Sequence, residues 1–334
     1  CAFTLAFLLI FLPYTVFHEA ISWMIQGVLW ISRQSYGMLT IGHVPFLWVL
    51  LFYFMTGLWI WKKNGQNRHI RISLAYVIMI ILIWIPMARR KSLAFLDVGQ
   101  GDCFVADTKS GAIIFDGGSS SEDQVGRYRI LPYMKYLGYQ KIQIAVISHM
   151  DIDHYSGIKE LLEMGKIKYL GLPEIPKDET MKKIIGIAKK RGTTIFYLSR
   201  GRQITTKDGS LKVLHPQKNS QMEKNAASLV MQGKILGYRV LLTGDVEKEG
   251  EEELLSEELE RADILKAAHH GSKNSTSNEF LQKVQPKQTV ISCGKQNRYG
   301  HPHLETIHRL QTYRTKIYRT DRSGAIIFFK RRDG

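Results

Sequence analysis

The sequence predicts an α/β domain of two sheets packed face to face with helices outside, an αββα sandwich, preceded by transmembrane helices. Three observations predict it. After residue 90, short apolar strands fall into two clusters with helical stretches interposed, an order that leaves two sheets each needing a helical cover. Before residue 90, apolar runs follow one another and Glu19 is the only carboxylate, against Arg33, Lys62, Lys63, Arg68, Arg71, Arg89 and Arg90. The third is His149-Met-Asp151-Ile-Asp153-His154, directly after an apolar strand. Four side chains able to ligate a metal thus crowd one strand-to-helix loop.

The apolar part divides by its runs. Residues 44–61 (VPFLWVLLFYFMTGLWIW) carry no charge and come close to the length needed for a bilayer core of about 30 Å. Residues 72–88 form a second run and residues 2–16 a third, with Trp48, Trp59, Trp61 and Trp84 near run ends, where indoles suit the membrane interface. Residues 20–31 have helical apolar spacing and suit an interfacial or packed helix. The boundary falls at Arg89-Arg90-Lys91, which predicts membrane helices over 1–90 and a folded domain over 91–334. The chain opens within an apolar run and reads as the tail of a longer multi-pass membrane protein.

In the second part, LAFLDV, DCFVADT and AIIFDGG form the first strand cluster, separated by glycine turns. Residues 129–139 read as helix, and IQIAVISH as a buried strand ending in the His/Asp motif. A helix over 156–164, strand IKYLGL, a helix over 179–191 and strand TIFYL follow. The second cluster is QITTKDG, LKVLHP, ASLVMQ and YRVLLTGD. After it come an acidic helix over 247–260, strand ADILKAA, a helix over 278–284, strand QTVISC, a helix over 304–312 and a closing hairpin, IYRT-DRSG-AIIFF. Three cysteines, Cys1, Cys103 and Cys293, give neither a disulfide framework nor a zinc-finger spacing.

Imidazole and carboxylate together bind divalent metals, and alternate spacing puts His149, Asp151 and Asp153 on one side of an extended segment. The plainer role open to Asp153 is to cap the following helix.

This motif resembles the metallo-β-lactamase signature HxHxDH, with Asp151 in place of the second His. The surrounding text is similar to the C-terminal domain of the ComEC family, the bacterial DNA-internalisation competence channel. The matching stretches are FLDVGQGD (95–102), IIFDGG (113–118), ISHMDIDHYSG (147–157), NAASLV (225–230), LLTGD (241–245), LKAAHHGSKNST (265–276) and SCGKQNRYGHPH (292–303). The resemblance covers residues 93 to about 329 and implies a metal-dependent hydrolase. His149 and Asp151 would hold one divalent metal, Asp153 and His154 the other, with Asp245 bridging them. His270 would be the last ligand, with His269 a near-equal alternative for that place and otherwise a catalytic group. Asp153 would also orient the attacking hydroxide. His301 and His303 would sit at the rim to contact phosphate or protonate the leaving group, although loop histidines are as common. Asp116 orients a ligand from behind or makes a turn, Asp102 reads as a turn residue, and His215 as structural.

One departure bears on the metal. Where the superfamily supplies a third His to the first position, this chain has Asn225-Ala-Ala-Ser228. The site is richer in oxygen than a lactamase zinc site, which favours Mn²⁺ or Mg²⁺ over Zn²⁺. Two such metals about 4 Å apart suit phosphodiester hydrolysis. The resemblance implies a channel segment for single-stranded DNA beside a deoxyribonuclease that degrades the non-transported strand, with DNA, the membrane and other competence-apparatus proteins as partners. A hydrolase of a small phosphoester and a DNA-binding domain that does not cut are the alternatives.

Charge agrees with a polyanionic partner. The chain holds 46 basic and 30 acidic residues; setting aside the seven and one before residue 91 leaves 39 and 29, a net +10 on the folded domain. The short 62–71 loop carries four basic residues against three at 89–91, and the positive-inside bias then puts the loop in the cytoplasm and the folded domain outside the cell membrane.

Overall fold

The computed structural model describes residues 90–331 apart from 223, 224 and 258, and before them residues 19, 22–27, 42–44, 46–61, 73 and 77. Residues 1–41 and 42–334 form separate compact units; of the first, residues 22–27 are helical. In the second, helix α1 (Phe46–Trp61) has 16 residues, about 24 Å at 1.5 Å per residue. Among the described residues no helix is both long and apolar enough to cross a membrane. The expected runs over 2–16 and 72–88 lie outside the described residues, apart from 73 and 77.

Among the described residues, fourteen strands make two seven-stranded sheets. The first runs, in spatial order, β14 (Ile326–Phe329), β1 (Ser92–Phe95), β2 (Phe104–Thr108), β3 (Gly111–Phe115), β4 (Ile142–Val146), β5 (Ile167–Pro173) and β6 (Thr194–Leu198). The second runs β13 (Lys316–Arg319), β12 (Gln288–Ile291), β11 (Ile264–Lys266), β10 (Tyr238–Leu242), β9 (Val230–Ile235), β8 (Gly209–His215) and β7 (Gln203–Thr206). Period-2 alternation sorts side chains between layers. Leu93 and Phe95, Phe104 and Ala106, and Ile113 and Phe115 enter the core between the sheets, with Val240 and Leu242 from the other side. Their neighbours Ala94, Val105 and Ile114 face the helices covering sheet 1, and Leu241 and Leu265 those covering sheet 2. Both faces of the central strands are thus buried, which is why they read as near-continuous apolar runs. Phe95 is 2% exposed, so Phe95→Ala removes about 3–5 kcal/mol of stability.

The covering helices are α2 (Leu131–Tyr136), α3 (Ile152–Glu163) and α4 (Glu179–Lys190) on sheet 1, and α5 (Lys248–Leu255), α6 (Asn278–Val284) and α7 (Leu304–Thr312) on sheet 2. The expected αββα sandwich is observed.

Three local expectations change. The closing hairpin does not exist: β13 pairs with β12 at one edge of sheet 2, and β14 pairs antiparallel with β1 at the edge of sheet 1. The short helix α8 (Thr320–Ser323) carries the chain between them, and β14 gains Ile326 and Phe328 a place in the inter-sheet core. The strand expected from Ala227 begins at Val230, because residues 225–229 turn, with Ser228 N–H donating to Asn225 O and Leu229 N–H to Ser148 O. Helix α3 begins at Ile152, not Ser156, so Asp151 is the N-cap residue, while Asp153 and His154 stand on the first turn. Gly118 permits that start, since a Cβ there would come 2.5 Å from His154 N and Ile152 O.

Candidate metal centre

The site gathers at the ends of β3, β4, β10 and β11, where parallel strands deliver their loops to one edge of the sandwich. Asp116 follows β3 in a left-handed conformation, φ 57°. One carboxylate oxygen accepts the Ser148 N–H at 2.7 Å and the other lies 3.0 Å from His154 Nδ1. His154 is fully buried, and with Nδ1 held by Asp116 its Nε2 points into the site. Asp245 follows Gly244 after β10, and its Oδ2 lies 3.1 Å from His154 Nε2. Beyond β11, His269 and His270 are both left-handed, with φ 47° and 53°, a conformation that costs a non-glycine residue about 1–2 kcal/mol. It turns the two imidazoles apart. His270 Nδ1 donates to Ser292 O at 2.9 Å, leaving Nε2 3.4 Å from both Asp153 Oδ2 and Asp245 Oδ2. His269 Nδ1 instead meets Glu247 Oε1 at 2.8 Å, and its Nε2 is 3.8 Å from Asp245 Oδ2.

These spacings fit a divalent ion. Ligand atoms about 2.1 Å from one metal lie ~3.0–3.4 Å from each other in octahedral or tetrahedral order, the range of the His154–Asp245, His270–Asp245 and His270–Asp153 pairs. The buried Nε2 atoms of His149, His154 and His270, and Asp245 Oδ1, make no hydrogen bond. Buried polar atoms left in that state are costly unless something else satisfies them. The first position is sparser: His149 Nε2 lies 3.5 Å from Asp151 Oδ2, and the Asp151 side chain is 38% exposed. Nothing from the Asn225–Ser228 turn adds an imidazole, and His215 is buried with Nε2 2.7 Å from Ala226 O and Nδ1 3.2 Å from Glu253. It is structural, as expected.

Two residues were not legible as part of this site. Asp102 is 4% exposed and joins His154, Asp245 and His270 in one cluster of possible ligands. Its oxygens lie 3.7 Å from His154 Nδ1 and 3.6 Å from His270 Nδ1, behind the rings rather than on the Nε2 side where a metal would sit. Lys266, in β11, is buried, forms an ion pair with Asp102, donates to Gly244 O at 3.0 Å and lies 3.6 Å from Asp245 Oδ1. The available signals were a carboxylate two residues before a fully buried strand and a lysine inside the apolar run ILKAA.

A cavity of about 470 Å³ opens over the cluster and is lined by Asp151, Asp153, Asp245, His269, His270 and His301, among others. Burial, and then the charge of His270, push the His301 imidazole down to about 4, so it is neutral at physiological pH. His303 is not among the lining residues; its Nδ1 accepts the Lys273 N–H at 3.1 Å.

Burial pulls the His154 pKa down, but Asp245 and Asp116 outweigh it and hold the group well above the usual histidine range. His270 is likewise pulled down by burial and raised further by Asp245 and Asp102. Burial pushes Asp245 up, and His154, His270 and Lys266 bring it well below the usual carboxylate range. Without metal, both imidazoles are therefore protonated at neutral pH, whereas a metal takes only the neutral ring. Metal binding is expected to release up to two protons and to tighten as pH rises from about 6 to about 8. Calorimetry in buffers of different protonation enthalpy checks this, and binding without proton release contradicts it.

The profile of the metallo-beta-lactamase superfamily matches residues 96–295. The chain is 34% identical over 294 residues to ComE operon protein 3 of Bacillus subtilis (strain 168), covering 82% of this chain and 38% of that protein. It is 30% identical over 248 residues to Competence protein ComA of Neisseria gonorrhoeae, covering 71% and 32%. With Recombination protein 2 of Haemophilus influenzae the identity is 27% over 268 residues, covering 79% and 32%. The chain thus spans well under half the length of these curated relatives.

Proposed function

This chain belongs to the metallo-β-lactamase superfamily, its relatives are competence proteins of the ComEC family, and on that footing we propose that it is a metal-dependent deoxyribonuclease acting in DNA uptake. It degrades the strand that is not transported, the apolar run-rich sequence of residues 1–90 belongs to a channel segment, and the hydrolase faces the outer side of the cell membrane. The observation that carries the hydrolytic reading is Asp245 Oδ2 lying between His154 Nε2 and His270 Nε2, with Asp153 Oδ2 also at His270 Nε2, each pair at the spacing of ligands to one ion. The net +10 on the domain supports a polyanionic substrate, and the exposed apolar side chains of α1, Phe46 and Leu47 among them, support a membrane setting.

His154, His270, Asp153 and Asp245 would hold one divalent ion, and His149 and Asp151, with Asp245, a second. The oxygen-rich donor set favours Mn²⁺ over Zn²⁺. Such ions supply Lewis acidity to a phosphodiester and to water. The chain's own residues do the rest. Asp116 and Ser292 O fix the ring orientations, Asp153 orients the incoming oxygen nucleophile, and Asp102 with Lys266 sets the charge behind the imidazoles. His269, held by Glu247, and neutral His301 present polar ring edges to a phosphate in the cavity.

Purified full-length chain is expected to cut DNA with Mn²⁺ and to stop with chelator, and intact protoplasts bearing it are expected to cut added duplex without lysis. DNA retained but never cut with any divalent metal would replace the nuclease reading by a binding one. Cutting that appears only after lysis would put the site in the cytoplasm.

A further inference from the structure

Beside the metal cluster lies a second, smaller cavity of about 170 Å³. Met150, Met181, Met222, Ile175 and Pro176 line it, together with His149 and Asp178 and the polar Ser220 and Gln221. Met150 also lines the larger cavity over the cluster, so the two spaces adjoin at this side chain.

The cleft is built rather than incidental. Its two loops are tied across the opening: Asn219 N–H donates to Glu174 O at 2.8 Å, and Lys218 pairs with Glu174 at 3.0 Å. The Asp178 carboxylate caps α4 through the Met181 N–H at 2.7 Å, which sets the position of Met181. Met150 and Met181 are 5% and 1% exposed, so their thioethers are fixed in the wall.

Size and chemistry select the occupant. An apolar cavity of about 150 Å³ takes a single benzene ring, so this one takes one flat aromatic group and no more. Methionine sulfur makes favourable contacts with aromatic rings and adapts to their outline, which makes a three-methionine wall tolerant of ring identity. We propose that the cleft receives one nucleobase of the strand whose phosphodiester lies at the metal cluster, stacking it against methionine without reading its sequence. This rests on the nucleic-acid reading above, because a phosphodiester at the cluster places its neighbouring base within reach of Met150.

The test measures binding of short single strands to the full-length chain with chelator present, so that cleavage plays no part. An abasic position is moved along the strand one nucleotide at a time. At one register, loss of the base is expected to weaken binding at least about fivefold, equally for all four bases, as stacked bases do elsewhere. Met222→Trp, which fills the cleft from a half-buried loop position, is expected to weaken the intact strand by a similar factor and the abasic strand no further. Abasic strands that bind as well as intact ones at every register overturn the proposal, as does an equal loss for intact and abasic strands in Met222→Trp. Abasic-sensitive binding without any cleavage in Mn²⁺ keeps the cleft and removes the nuclease reading. Cleavage without abasic sensitivity does the reverse.

Discussion

Asp245→Ala is expected to lower DNA cleavage by at least about a thousandfold and to remove tightly bound metal, with both sheets still folded. Asp245 is the one carboxylate whose Oδ2 lies within 3.1 Å of His154 Nε2 and 3.4 Å of His270 Nε2. Without it the imidazoles lose the anionic ligand between them. A bound metal supplies several kcal/mol of transition-state stabilisation, and each 1.36 kcal/mol is tenfold in rate, so losing about 4 kcal/mol gives the thousandfold. The fold is expected to survive because Asp116 still faces His154, and Asp102 and Asp153 still face His270, so neither imidazolium is left as an unpaired buried cation. Cleavage rate, metal content and circular dichroism of the purified variant decide the matter. Near-normal cleavage with full metal content would take Asp245 out of the site.

Lys266→Met is expected to remove about 3–5 kcal/mol of stability in the metal-free protein, the usual result of leaving one partner of a buried ion pair alone. Burial is the strongest influence on Asp102 and pushes it up, but Lys266, followed by His270, brings it down to about 2 from 3.8. In the native protein this carboxylate stabilises the fold fully above about pH 4, and the contribution fades as pH falls from about 4 to about 2. With the ammonium gone, burial is expected to win, so the variant gains stability relative to the native protein as the medium is acidified and Asp102 takes up a proton. Thermal unfolding in chelator between pH 4 and 8 checks both the size and the slope. A loss below about 1 kcal/mol would mean that water reaches Asp102, and would rule out a sealed pair.

Much of the molecule was legible because its signals are local. Period-2 alternation along LAFLDV and AIIFDGG marks which side chains enter the inter-sheet core whatever strand lies alongside. The HMDIDH run places His149, Asp151, Asp153 and His154 together because few bonds separate them. Asp245 and the His269–His270 pair stood out by resemblance, since short polar runs at strand ends are where loops of such sheets converge. What could not be read depends on segments far apart in the chain. The carbonyl of Ser292, 22 residues on, turns His270 inward, and Glu247 holds His269 aside. Asp102 looks like a turn residue until Lys266 arrives beneath it from another sheet. IYRT and AIIFF look like a hairpin until the free edge of β1 offers β14 a better partner. From sequence alone follow the layers, the loop carrying most of the candidate ligands and the acid-poor apolar stretch before residue 91. Tertiary structure decided ring orientations, the buried ion pair and the edge pairing, because each depends on which distant backbone group a side chain meets once the sheets have closed, and a local pattern does not encode that register.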